Sequence, residues 1–231
     1  VLGLGAIMLR RHLPKSPHFK VHEAGTPSRS PFVQVWTRNR TELVQAFLFA
    51  ASYGMVFYLV MVYLPSWVAR NSNLQEAQTL QISSVLTLVA IPSMVVFAWI
   101  GDVWILRTRL IAAAFAILAV VTWPLSSLIL SGDFASVIVS QTLLIILLSV
   151  PLGSGPAVFV ELFPSSDRLT GYSISFNLGM GVLGGATPML ATWLIGATDN
   201  PLVPAYMIII AGFTAAIALM WMRDRSRESL R

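Results

Sequence analysis

Two clusters of charge interrupt an otherwise apolar chain. "GDVWILRTR" carries Asp102, Arg107 and Arg109, and "ELFPSSDRLTG" carries Glu161, Asp167 and Arg168. Each falls between two long apolar runs, so the chemistry on offer is ion pairing between helix ends rather than bond making. Catalytic readings lack parts. The chain has no cysteine, which removes disulfides, thiolate nucleophiles and Cys-ligated metals. Ser154 in "GSG" would need a histidine base at its own depth, whereas His12, His18 and His22 are all near the start. His18 and His22, four apart with Glu23 adjacent, raise the idea of a metal pair. Pro14, Pro17 and Pro27 oppose a continuous helix there, and the segment reads as a solvated basic linker. A nucleotide-binding loop of the G-x-x-x-x-G-K-[ST] type is absent. The expectation is a non-enzyme without cofactor or metal.

The elements that must position these charges follow from composition. Of 231 residues, 56% are hydrophobic and only 11% charged, with a mean hydropathy of +0.75. Soluble domains carry about 25% charged residues. Apolar windows run roughly over 43–68, 79–100, 110–130, 134–160, 172–198 and 202–222. About 20 apolar residues suffice for a helix to cross a bilayer core. The windows are continuous and too long for the alternating strands of a β-barrel. The sequence therefore predicts an all-α membrane protein of six transmembrane helices. Residues 41–222 form the bundle, 10–40 a cytoplasmic basic linker and 223–231 a cytoplasmic tail. The opening "VLGLGAIML", residues 1–9, is expected to be the end of a preceding transmembrane helix, which makes the chain the C-terminal part of something longer.

Cations set the expected orientation. Residues 10–40, the loops holding Arg107, Arg109 and Arg168, and the tail with Arg223, Arg225, Arg227 and Arg231 all fall on one side. The opposite loops hold Arg70 beside Glu76, Asp133 and Asp199. Short loops rich in Lys and Arg stay cytoplasmic, so both ends of the bundle are expected there, in the plasma (inner) membrane. The formal net charge of +5 is explained by this topology, and its scatter between apolar runs argues against nucleic acid as a partner.

Within the spans, Tyr53, Gln45, Gln141 and Asn177 are the polar groups deep enough to line a substrate path. Asn177 serves equally as a packing hydrogen bond. Gly171, Ser175 and Gly179, then Gly181 and Gly185, recur every fourth residue, the small-xxx-small spacing of closely packed membrane helices. Pro92, Pro124, Pro151, Pro156 and Pro188 fall within or near span ends, where each removes a backbone hydrogen bond; Pro156 and Pro188 are candidate hinges. No Asp, Glu, Lys, Arg or His lies in the middle of a span, so the chain alone should not couple protons to transport.

Several motifs resemble those of the C-terminal half of major facilitator transporters, in particular the metabolite:proton symporter group of proline/betaine, α-ketoglutarate, shikimate and citrate carriers. They are "RRHLPKSPHF", "FYLVMVYLPSWV", "GSGPAVFVELFPSSDRLTGYSISFNLG" and "GGATPMLATWL", and together they extend over essentially the whole chain. The resemblance implies two inverted three-helix repeats, a missing N-terminal six-helix half, a small-molecule substrate and protons as the coupled ion. It also implies that Glu161 and Arg168, with Asp102 and Arg107 as a companion pair one loop earlier, clamp the cytoplasmic helix ends. From position alone, Glu161 and Arg168 are equally ordinary charges marking helix ends. Departures are Trp104 and Leu106, where the group's D-R-x-G-R-[RK] turn has Gly and Arg, and Lys15 in place of an acid. A stand-alone six-helix remnant or assembly partner without transport activity is the alternative.

Overall fold

A polar backbone in hydrocarbon must satisfy its own hydrogen bonds, and the long apolar runs do so as helices. The computed structural model describes residues 30–227. The expected end of a preceding helix at residues 1–9, the histidine segment and the last four residues of the tail lie outside the described residues. A short helix, α1 (Pro31–Arg38), occupies part of the stretch read as linker. Six long apolar helices follow: α2 (Arg40–Asn71), α3 (Glu76–Val103), α4 (Arg107–Leu130), α5 (Phe134–Leu162), α6 (Arg168–Thr198) and α7 (Val203–Trp221). All but α7 run a few residues past at least one edge of their apolar window, because helical hydrogen bonding does not stop where hydrophobicity does. α5 starts at a cap, with the Asp133 carboxylate accepting from the Ser136 N–H. The helices continue through Pro92, Pro124, Pro151, Pro156 and Pro188.

The packing pairs reveal an internal symmetry. The principal partners are α4 with α7, α3 with α5, α4 with α5, α2 with α6, and α2 with α7. Exchanging α2 with α5, α3 with α6 and α4 with α7 converts this set into itself. Helices three apart in an up-down series run in opposite directions, so the two halves are inverted three-helix repeats, as membrane carriers often are. α3 and α6, which exchange with each other, are the least buried of the six.

Three of these pairs cross where a glycine removes a side chain. A Cβ on Gly153 of α5 would collide with the Met94 carbonyl of α3, and one on Gly212 of α7 would lie 2.8 Å from the Phe115 carbonyl oxygen of α4. In the α2–α6 pair, a Cβ on Gly54 would lie 2.7 Å from the Met180 Cα, and Gly179 and Gly184 meet the backbone of Ala51 and Gly54 in return. Both helices are π-helical near this crossing, over Tyr58–Tyr63 and Asn177–Gly184. Pro65 and Pro188 follow these stretches, and a proline leaves the carbonyl four residues earlier, here Met61 and Gly184, without its donor. The i+5 bonds of the π-turns lie just before these carbonyls, the Leu64 N–H donating to the Leu59 carbonyl and the Gly185 N–H to the Met180 carbonyl.

The π-turn also corrects the expected packing register. Gly181 and Gly185 were expected to pack, but a Cβ on either meets nothing within 4 Å. The wider turn instead puts Gly179 and Gly184, five apart, on the buried face. Gly171 does pack, against the Phe163 ring. An aromatic cluster completes the interior: Phe49 of α2 stacks on Phe159 of α5 at 4.6 Å and meets Phe115 of α4 edge-on at 6.2 Å. Phe159 in turn meets Tyr172 and Phe176 of α6.

The register makes a clear prediction. Gly54→Ala should lose about 1–3 kcal/mol, the usual result of overpacking, whereas Gly181→Ala and Gly185→Ala should stay within about 0.5 kcal/mol of the parent. Unfolding of the purified variants in detergent reads this directly; equal losses at all three positions would contradict the crossing described.

Candidate functional site: a charge cluster at the basic end of the bundle

Arg107 opens α4, five residues after Asp102 in the last turn of α3. Three residues, Trp104 to Leu106, link the helices, and Trp104 folds back on Trp99 of α3 with ring centroids 5.0 Å apart. Arg107 Nε and Nη2 both donate to Asp102 Oδ1, at 2.9 and 2.7 Å. Its Nη1 donates to Glu161 Oε1 in the last turn of α5. Arg107 and Glu161 are largely buried, their side chains 16% and 15% exposed, while Asp102 is 54% exposed. The two ion pairs expected separately are therefore one three-charge cluster, and Glu161 engages Arg107. Arg168 Nε donates to the Phe163 carbonyl at 3.4 Å.

Every member of the cluster opposes its own helix dipole. Acids are favoured at helix N-termini and bases at C-termini, each by about 0.3–1 kcal/mol. Asp102 and Glu161 sit at C-terminal ends and Arg107 at an N-terminal one. The pairing offsets three unfavourable placements, so the joint is structurally specific and weak in net terms.

The chain after α7 supports this joint from the side. Asp224 Oδ2 accepts from the Thr108 N–H at 2.9 Å and its hydroxyl at 2.7 Å, which caps α4 one residue inside Arg107. Oδ1 accepts from the N–H and hydroxyl of Ser226. Arg225 Nη1 donates to the Leu162 carbonyl at 3.1 Å, at the end of α5. Burial pushes the Asp224 pKa up, but the bonds from Ser226 and Thr108 outweigh it and hold the carboxyl below the ordinary aspartate range. Asp167, buried at the start of α6, accepts from Asn39 Nδ2 at 2.6 Å and Gln34 Nε2 at 3.3 Å, tying α1 and the start of α2 to α6. Sequence reading passed over Asn39, Thr108 and Asp224 and took Arg225 only as one of the cations that set orientation. The one signal was Asp224 itself, an acid among tail arginines.

The deeper polar candidates separate by position. Tyr53 is buried, its ring 5.9 Å from that of Phe49. Gln45 is buried and donates Nε2 to the Trp221 carbonyl at 3.1 Å, closing the end of α7. Gln141 is fully buried, and neither its amide nor the Ser140 hydroxyl beside it has a partner among the described residues. Asn177 is exposed on α6 and bonds back to the Ser173 carbonyl at 2.7 Å. It shares that open face with Gly181 and Gly185, four and eight residues on.

Two variants test this geometry. Asp224→Ala removes a cap and should lose roughly 1 kcal/mol at neutral pH. A depressed folded-state pKa gives stability that is complete above the unfolded value and lost as pH falls through the folded one. The gap between parent and variant should therefore be constant from neutral pH down to the ordinary aspartate range and close below it; a gap that widens in acid would contradict the bonds described. Gln141→Met replaces an unpartnered buried amide by an apolar chain of similar size and should raise stability by about 1–3 kcal/mol. A loss would mean that the amide is satisfied.

No family model matches the chain, and no solved structure does. Curated proteins do. A putative proline/betaine transporter of Staphylococcus aureus is 27% identical over 215 residues, covering 90% of this chain and 45% of that protein. The ectoine/proline transporter ProP of Corynebacterium glutamicum is 22% identical over 99% of this chain and 47% of its own length. A proline/betaine transporter of Salmonella typhimurium is 21% identical over 100% of this chain and 48% of itself. The chain spans about half the length of the curated relatives it matches. It is a multi-pass, all-helical homologue of proline/betaine transporters, related as the C-terminal half of a major facilitator transporter would be.

Proposed function

We propose that this chain supplies half of a secondary carrier that moves a small polar metabolite across the plasma (inner) membrane by proton symport and alternating access. Proline or a betaine is the first substrate to test, since the relatives' names specify these solutes. The observation that carries the mechanism is the Asp102–Arg107–Glu161 cluster, where the ends of α3, α4 and α5 converge. Both termini of the bundle then face the cytoplasm, because the arginine-rich loops and the tail lie at the cluster's end.

In this reading the cluster is the cytoplasmic gate. Each charge opposes its own helix dipole whether the cluster is closed or open, so that term cancels and the ion pairs alone bias the closed arrangement. With Asp102 54% exposed the bias is modest, as a switch requires, and every ~1.4 kcal/mol of it changes the ratio about tenfold. Arg168, at the start of α6, is assigned to the same gate. Asn177, on the open face of α6, is assigned to the substrate path; Tyr53, Gln45 and Gln141 are all buried in this arrangement, and of these Tyr53 is assigned to the path once the helices move. Pro156 and Pro188 are assigned as hinges. The proton-accepting group comes from the partner six-helix half, because the spans described here hold no titratable acid, base or His at mid-depth.

Uptake of labelled proline and betaine into liposomes containing the whole carrier, driven by an imposed proton gradient, tests this. The parent should accumulate at least one of them, and Arg107→Gln should abolish accumulation without lowering the amount of folded protein. Because the chain has no cysteine, introduced cysteines on α4 and α5 can report the gate by labelling, which should rise in Arg107→Gln. Accumulation unchanged by that substitution sinks the gate; failure of the parent to accumulate either solute sinks the substrate class.

A further inference from the structure

The outer crossing of α4 and α7 contains an opening of about 680 Å³ at the basic end of the bundle. Its walls are apolar, with Ala112, Ala113 and Ala116 from α4 and Ala216 from α7 set between larger side chains such as Leu219 and Met220. Arg109 stands at its mouth. The guanidinium is exposed and has no hydrogen-bond or ion-pair partner among the described residues. Asp224 also borders the opening, but both of its oxygens are occupied by Thr108 and Ser226. The charge presented outward is therefore that of Arg109.

A groove between two membrane helices is filled by lipid unless protein covers it. The combination of an alanine-lined trough and an unpaired guanidinium at its headgroup end selects which lipid. We infer that this groove is a site for an anionic phospholipid of the leaflet at the basic end, with an acyl chain along the alanines and the phosphate on Arg109. Arginine suits that role, since its planar fork pairs with phosphate through two parallel hydrogen bonds. Basic pockets between membrane helices at the cytoplasmic side bind anionic headgroups on the same principle. A second copy of the chain is the poorer occupant. The described acids at this end are Glu42, Asp102, Glu161, Asp167 and Asp224. Four of them are engaged within the chain, which leaves Glu42 as the counter-charge a copy would bring.

Native mass spectrometry of the full chain, released from micelles with equal phosphatidylglycerol and phosphatidylethanolamine, tests the site. The parent should retain phosphatidylglycerol about fivefold over phosphatidylethanolamine, the preference one interfacial cation supplies. Arg109→Gln should bring the ratio close to parity, while Arg70→Gln, at the other end of the bundle, should leave it unchanged. Ala113→Phe fills the trough from an exposed position and should lower retention of both lipids. Equal retention by the parent overturns the proposal, as does a preference that survives Arg109→Gln. Dimers that Ala113→Phe abolishes, with no lipid retained by the parent, would instead make the groove a contact between copies.

Discussion

No water reaches the backbone of a chain crossing hydrocarbon, and the rest of this structure follows from that constraint. Each span must complete its own hydrogen bonds, so the spans are helices and polar invention is confined to their ends and crossings. Burial of apolar surface cannot drive helices together when the solvent is itself apolar. Close backbone approach does so instead, which is why Gly54, Gly153, Gly179, Gly184 and Gly212 lie where the main pairs cross. The prolines extend the same logic: Pro65 and Pro188 each leave a carbonyl without its donor, and the π-turns preceding them fall at the α2–α6 crossing. Proline, wide turn and close helix packing thus coincide there.

At the basic end the same helices meet water, and charge takes over from packing. Arg107 is placed against the dipole of α4, yet Asp224 restores a negative charge one residue away, bonded to the Thr108 N–H. The tail therefore stabilises a helix start that the Arg107 charge destabilises. Arg225, bonded to the end of α5, ties the same tail to the helix that carries Glu161. A motion that separates α4 from α5 must strain both attachments, so the segment after α7 belongs energetically to the cluster although it contributes none of the three charges.

Hydropathy made the six spans legible to within a few residues, because length and continuity of an apolar run are properties of sequence alone. Facing was not legible. In a helix apolar on every side the pattern gives depth without direction, so Tyr53, Gln45 and Gln141 were expected to line a path although all three are buried. The glycine register failed for a local reason: four-residue spacing assumes α-geometry, and the π-turn over Asn177–Gly184 adds a residue. Arg107, Asp102 and Glu161 were all recognised as charges of consequence. That Arg107 would hold both acids depended on the end of α5 arriving beside the α3–α4 link, a tertiary fact that neither motif contains.

The two most exposed spans share a further property that bears on movement. On α3, Ser84, Thr87 and Ser93 each donate to the carbonyl four residues earlier, at 2.8 Å. On α6, Asn177 and Thr198 do the same, and Thr192 does so while also meeting the Tyr63 hydroxyl of α2 at 3.3 Å. Bonding back into the helix satisfies these groups locally, so the faces carrying them need no fixed partner across an interface. Gln141 is the opposite case, a buried amide without any partner on a helix that packs on two others. Surfaces that keep their polar groups satisfied can lie against lipid in one arrangement and against protein in another without stranding a donor. Under the carrier proposed above, α3 and α6, related by the internal symmetry and least buried in the bundle, are the faces that a second half would cover.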